Sequence, residues 1–212
     1  ERLSSDRGAE SHFFAFSNTV SALNFHKTNE CHGWMGIRFQ LEPLGEMHDI
    51  ILHVRMLDRE NRLQQEAIGM LGVNLLYGAF HQYKNPDDFI QSLADGIDVE
   101  RIEIDMIEFN GPAFEKFDNR ILCLKLTQAG LTDAIMFDQK GFVVQASEVL
   151  YKKSCLIERG SFRPVTKVNL DMLENAKKQF ITREQVDEGE LMVFTELTLG
   201  SLANEGTINY KD

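Results

Sequence analysis

Three stretches of this chain alternate apolar and polar residues with a period of two, and a long helical pattern separates the second from the third. Residues 34–42 put Ile37, Phe39 and Leu41 on one face and Arg38, Gln40 and Glu42 on the other. Residues 49–58 turn Ile50, Leu52, Val54 and Met56 inward and His53 and Arg55 outward. Residues 101–109 set Ile102, Ile104 and Met106 against Arg101, Glu103 and Asp105. Successive side chains of a strand point to opposite faces, so each pattern reads as a half-buried strand. The Pro-Gly loop over 43–48 joins the first two as an antiparallel hairpin. An early hairpin argues against a purely parallel doubly wound sheet. The expected fold is therefore α+β or α/β: a mixed β-sheet with an N-terminal antiparallel hairpin, packed against several helices.

The remaining elements follow from punctuation. Residues 13–25 lean towards a strand, and 59–83 read as one helix in which Gly69, Gly72 and Gly78 would admit a close neighbour. Asn85-Pro86 with two aspartates starts a second helix through Ala94. Asp118 caps a third, closed at Gly130. Strands are expected over 132–138 and 142–150 around a Gln-Lys-Gly turn, and another over 155–158. Helices are expected over 170–181 and 190–203. The domain reading is a lead-in over 1–12, a single domain over 13–181 and a C-terminal helical segment over 182–212. The chain begins at Glu1 and not Met, so it reads as an interior piece of a longer protein.

Composition narrows the partners. A formal charge of −11 works against a nucleic-acid binder, which needs a basic face. No apolar run reaches the roughly 20 residues of a membrane span, and no basic-then-apolar leader opens the chain, so no membrane partner is expected. Three cysteines without a CxxC pair fit a reducing cytoplasm better than a disulfide framework. Self-association stays open, and no motif names a cofactor.

Four groups of residues could carry chemistry. On the polar strand faces, Arg38 and Arg55 form a fork for an anion, while His53, Glu103 and Asp105 supply proton-transfer groups. The bland reading is a solvated face with charges paired across strands. Cys31 and His32 are adjacent on an extended segment, point in opposite directions and make poor partners. They match no metal spacing with His26, His48 or His53, so no metal site is expected. Arg159, Ser161 and Arg163, with Lys152, Lys153 and Thr166 nearby, put cations ahead of a helix start, where anions bind. Asp133 with Ser147 and Glu148 is the weakest group.

The stretches Cys31–Gln40, Leu52–Arg59, Arg101–Glu108, Leu150–Lys153 and Glu158–Val165 together resemble a bacterial family of larger, poorly characterised proteins. The resemblance covers nearly the whole chain, as an interior portion. Members of that family carry inconsistent labels, TonB-dependent receptor and nicotinate-nucleotide adenylyltransferase. The first label implies a long membrane β-barrel, which a helix-rich chain does not supply. The second implies His-x-Gly-His, and Cys31-His-Gly-Trp34 lacks the second histidine. The resemblance carries over no functional residue. The expectation is a cytoplasmic enzyme domain that binds a small anionic, phosphorylated or nucleotide-like ligand, or else a non-catalytic assembly module.

Overall fold

The computed structural model describes residues 2, 5, 11–162 and 164–198. The chain divides into two compact units, 1–144 and 145–212. The boundary between them falls inside the stretch read from the sequence as one domain, 13–181. Most of the expected lead-in, and all of 199–212, lie outside the described residues.

The first unit is built on a four-stranded sheet in the order β1-β2-β3-β4. These strands are β1 (Phe14–Ser21), β2 (Cys31–Gln40), β3 (Met47–Met56) and β4 (Ile102–Asn110), and every neighbouring pair is antiparallel. Two long elements sit between β3 and β4, namely α1 (Asn61–His81) and α2 (Pro86–Leu93). After β4 come a 3-10 turn at Pro112–Phe114, α3 (Asn119–Gln128) and a two-residue ribbon, β5 (Met136–Phe137) with β6 (Val143–Val144). The class is α+β. All of its large sheet is antiparallel, and the parallel pairing lies in the second unit.

One face of this sheet makes the core. Met35, Ile37, Phe39, Ile50, Leu52, Val54, Ile102 and Ile104 are buried against Ala67, Leu71 and Leu75 of α1 and Phe89 and Leu93 of α2. Spacings of three and four residues put the buried positions of α1 on one stripe. Each large side chain so buried contributes about 1.5–3 kcal/mol. The start of α2 is capped as its sequence requires: the Asn85 side chain accepts from Asp87 N–H, with Pro86 in the first turn. Asp118 likewise accepts from Arg120 N–H to start α3.

Two glycines are fixed by close approach. A Cβ on Gly33 would lie 2.0 Å from the Thr19 carbonyl oxygen of β1, and one on Gly78 would lie 2.8 Å from the Phe89 ring. Gly69, expected to admit a neighbour, has nothing within 4 Å of such a Cβ.

β4 differs from the plain alternation read in its sequence. Val54 pairs with Ile104 and His53 with Met106, so Asp105 is an extra residue, a β-bulge. Beyond it the faces exchange. Ile107 and Phe109 enter the core, and Met106 leaves the face it was expected to share with Ile102 and Ile104.

The second unit holds α4 (Ala146–Val149), β7 (Ser154–Arg159), α5 (Lys167–Glu184), a 3-10 turn at Glu188–Glu190 and β8 (Leu191–Glu196). β7 and β8 pair in parallel. Residues 146–149 are helical where a strand was expected. The helix expected over 190–203 is instead β8 as far as Glu196, because Met192, Val193, Phe194 and Thr195 favour a strand and find a partner in β7. α5 begins at a capping box between Thr166 and Asn169. Among the described residues no helix is long and apolar enough to cross a membrane.

Candidate functional site

The face of the sheet turned away from the helices carries a connected polar cluster. It starts at the bulge. Asp105 Oδ1 lies 2.6 Å from His53 Nδ1, and His53 Nε2 lies 3.0 Å from His32 Nδ1. The His53 side chain is fully buried, while Asp105 is 16% exposed. The Trp34 ring, across from His53 in the β2–β3 register, packs on it at 4.9 Å between centroids.

The hydrogen-bond sense follows from the chemistry. As a carboxylate, Asp105 only accepts, so the His53 proton sits on Nδ1. In the tautomer with a single proton on His53, Nε2 accepts from His32 Nδ1–H, which places the lone pair of the chain at His32 Nε2. An acceptor carboxylate that fixes an imidazole tautomer and stabilises its protonated form is the arrangement general bases use. Here it is extended by one imidazole.

Beside it, Arg55 bridges two carboxylates. Nη1 donates to Glu103 at 2.5 Å and Nη2 to Glu30 at 2.9 Å. Thr132 Oγ1 donates to the other oxygen of Glu103 at 2.7 Å, so Glu103 is held on both sides. Glu30 is the looser partner, with 55% of its side chain exposed. The Nε of Arg55 is buried without a partner. Arg55 pairs with His32 in the β2–β3 register, which links the two groups.

Arg55, Glu30 and Cys31 also line a cleft of about 470 Å³ between the β1–β2 turn and the β3–α1 connection. His26, Lys27 and Arg59 line it as well. The Asp58 carboxylate in the same cleft is engaged by Arg101 at 2.8 Å. Cys31 faces the core, where its thiol donates to Gln64 Oε1 at 3.2 Å and burial pushes its pKa up. A protonated, hydrogen-bonded thiol of this kind is not a nucleophile.

The sequence-predicted residues are distributed as follows. His53, Arg55, Glu103 and Asp105 come together. Arg38 lies four register positions from the Trp34–His53 pair, roughly 13 Å along the strand. It makes a two-pronged pair with Asp49 at 2.7 Å, and its hydrogen bonds hold the Asp49 carboxyl below its usual range. Arg159 belongs to the second unit and pairs with Glu196 at 2.7 Å. Lys153 pairs with Glu190, Ser161 is exposed, and Arg163 lies outside the described residues. Arg159 and Lys153 are thus matched by acids, Lys152 lies over the Tyr151 ring, and the capping box of α5 takes up the Asn169 N–H. Asp133 is exposed, and Ser147 and Glu148 fall in the other unit.

Sequence reasoning weighed His32 only as a partner for Cys31 and set it aside, and it gave no site role to Trp34, Thr132 or Glu30. Carrying the β2 alternation back from Arg38 by two residues at a time reaches Gly36, Trp34 and His32, so that signal was present. Among the described residues no group of three or more His, Cys, Asp or Glu side chains is arranged to hold a metal ion. Together, fold and cluster define an α+β domain with an Asp–His–His chain on its antiparallel sheet. No family model, curated protein or solved structure matches the chain.

Proposed function

We propose that this chain is a domain of a cytoplasmic bacterial enzyme that moves a proton at a small anionic substrate. The observation that carries this reading is the Asp105–His53–His32 chain, with a fully buried imidazole fixed at both nitrogens. Burying a polar ring costs stability unless both nitrogens are satisfied, and an ordinary sheet face has no need of one. His32 Nε2 acts as the base, His53 relays the charge and Asp105 stabilises it.

The anion subsite is the cleft at Arg55. An exposed ion pair such as Glu30–Arg55 contributes about 0–1 kcal/mol, so a substrate carboxylate or phosphate can take the place of Glu30 on Nη2. Lys27, Arg59 and His26 add donors in a chain that is otherwise strongly acidic. Glu103 and Thr132 keep the guanidinium in place from behind. Arg55 takes the place of Arg38 and Arg159 in this assignment because, of the three, it is the one that lines the cleft.

A thermal-shift series with inorganic phosphate, small dicarboxylates and nucleoside phosphates tests the subsite. Stabilisation by RT ln(1 + [L]/Kd) is expected for at least one of them, and Arg55→Ala abolishes it. If none of these ligands stabilises the protein, or if Arg55→Ala responds like the parent, the anion reading is wrong. The alternative, a non-catalytic assembly module, is favoured by a different observation, the outer edge of β1, which has no strand partner among the described residues.

A further inference from the structure

β1 is the edge strand of the four-stranded sheet, and among the described residues β2 is its sole strand neighbour. All eight of its residues are exposed, including Phe14 at 52%, Phe16 at 42% and Val20 at 43%. Open edges are templates for pairing, and proteins ordinarily blunt them with lysine, proline, a bulge or short length. This edge has none of these. Its register with β2 runs without a break, and from Ser11 to Phe25 there is no Asp, Glu, Lys, Arg, Pro or Gly.

The hydrogen-bond phase of the edge is fixed. Gln40 N–H donates to the Phe13 carbonyl, so the odd-numbered residues of β1 bond to β2. Phe14, Phe16, Asn18 and Val20 therefore direct their N–H and C=O groups outward. The same four side chains lie on the helix side, opposite Phe39, Ile37, Met35 and Gly33. There the apolar surface continues onto α1. The Phe16 ring lies 3.1 Å from a Cβ placed on Gly72, and the Phe14 ring meets Phe80 at 6.3 Å. Along the adjoining strip, Val73 is 65% exposed, Tyr77 is 54% exposed, and Gly69 has open space beside it.

We infer that this surface is a homodimer interface, in which β1 of two copies pair antiparallel to make one continuous eight-stranded sheet with the two α1 helices side by side. The occupant is specified by complementarity. With Ser17 of each copy at the two-fold axis, Phe14 lies opposite Val20 of the second copy and Phe16 opposite its Asn18. Every outward N–H and C=O is then used, in about eight hydrogen bonds. Each aromatic residue at position 14 meets a β-branched one, a favoured cross-strand pair. On the other face Ala15 meets Thr19 and Ser17 meets Ser17, so only small side chains oppose one another. A chain with a charge of −11 repels its own copies over most of its surface, and this uncharged strip is where that repulsion is absent. A charged peptide would find no counter-charge on it. The open side of Gly69 lets the second helix approach closely.

The test is the solution mass of the full chain by sedimentation equilibrium, with Asn18→Pro and Val20→Lys beside it. Asn18→Pro removes one outward donor and leaves the bonds to β2 intact; Val20→Lys installs the edge charge that is missing. Expected are a parent mass near twice 24.2 kDa, and 24.2 kDa for both variants with unchanged circular dichroism. In the dimer the amides of Phe14, Phe16 and Val20 are protected from exchange, and in Val20→Lys those of Phe14 and Phe16 lose that protection. A parent of 24.2 kDa at every concentration overturns the interface, as does a dimer that persists in both folded variants. Protection of the same amides in a monomeric parent overturns it too, because another segment of the chain then covers the edge. None of these readings depends on phosphate binding at Arg55.

Discussion

Asp105 accepts the Nδ1–H of a fully buried imidazole, and a buried donor that loses its acceptor keeps the desolvation cost without the bond. Asp105→Ala is accordingly expected to destabilise the protein by about 1–3 kcal/mol in urea denaturation. Asp105→Asn, which retains an acceptor oxygen, costs less of that stability yet removes the charge that supports a protonated relay. An equal loss in both variants would mean that the charge matters to the fold and not to the relay. A second residue-scale expectation concerns Cys123, whose thiol donates to the Ile107 carbonyl at 3.3 Å. Burial pushes its pKa up to about 11. The folded state then keeps this proton at a pH where the unfolded thiol has released it, so the unfolded state binds fewer protons and stability falls as pH rises. The contribution is complete below about pH 9 and disappears towards about pH 11, some 2–3 kcal/mol in all. Cys123→Ala should flatten the fall of stability across that window; an unchanged slope would assign it to other groups. Of this scale, His53, Glu103 and Asp105 were legible because alternation puts them on one face. His32 was weighed only against its neighbour Cys31, and the face it shares with His53 was not followed back along β2 from Arg38.

At the scale of elements, the bulge decides whether the polar face is a cluster or a row of charges. Two opposed strands in simple register would set Asp105 opposite His53; the extra residue moves Met106 into that position and re-aims the carboxylate. Its trace is in the sequence: Ile102 and Ile104 are even-numbered, Ile107 and Phe109 odd-numbered, and the phase slips at Asp105-Met106. Alternation read only as far as Met106 does not reveal that slip. The β1–β2 contact depends on a single glycine. Gly33→Ala would put a methyl group 2.0 Å from the backbone oxygen of Thr19, and backbone in a ladder cannot step aside as a flexible side chain does. The expected loss is at least about 1–3 kcal/mol, with β1 amides exchanging faster than those of β3 and β4. If the substitution is neutral in thermal melting, β1 does not approach β2 this closely. The strand expected at 146–149 and the helix expected at 190–203 failed for a shared reason. Both segments are short or partly polar, and their state is set by a neighbour, such as β7 for β8, that local pattern does not contain.

For the molecule as a whole, apolar burial is divided very unevenly. Among the described residues nearly every buried hydrophobic belongs to the first unit, where twenty-five of them form one cluster. Among the described residues of the second unit only Leu191 is a buried hydrophobic, and α5 has no buried residue along its 18 positions. Val168, Leu170 and Met172 on that helix are all more than half exposed. A parallel pair of six-residue strands with one helix buries too little apolar surface to offset the entropy of ordering its backbone, about 1–2 kcal/mol per residue. The two units should therefore not unfold together. Amides of β7, β8 and α5 are expected to exchange by local opening, with free energies well below the global value. Those of β2, β3 and β4, which carry the Asp–His–His chain, should exchange only by global unfolding. Native-state hydrogen exchange followed by mass spectrometry reads both classes in one experiment. Equal protection in α5 and β3 would mean that the second unit is stabilised by burial its exposed surfaces do not account for. The site-bearing sheet would then not be the sole stable frame among the described residues.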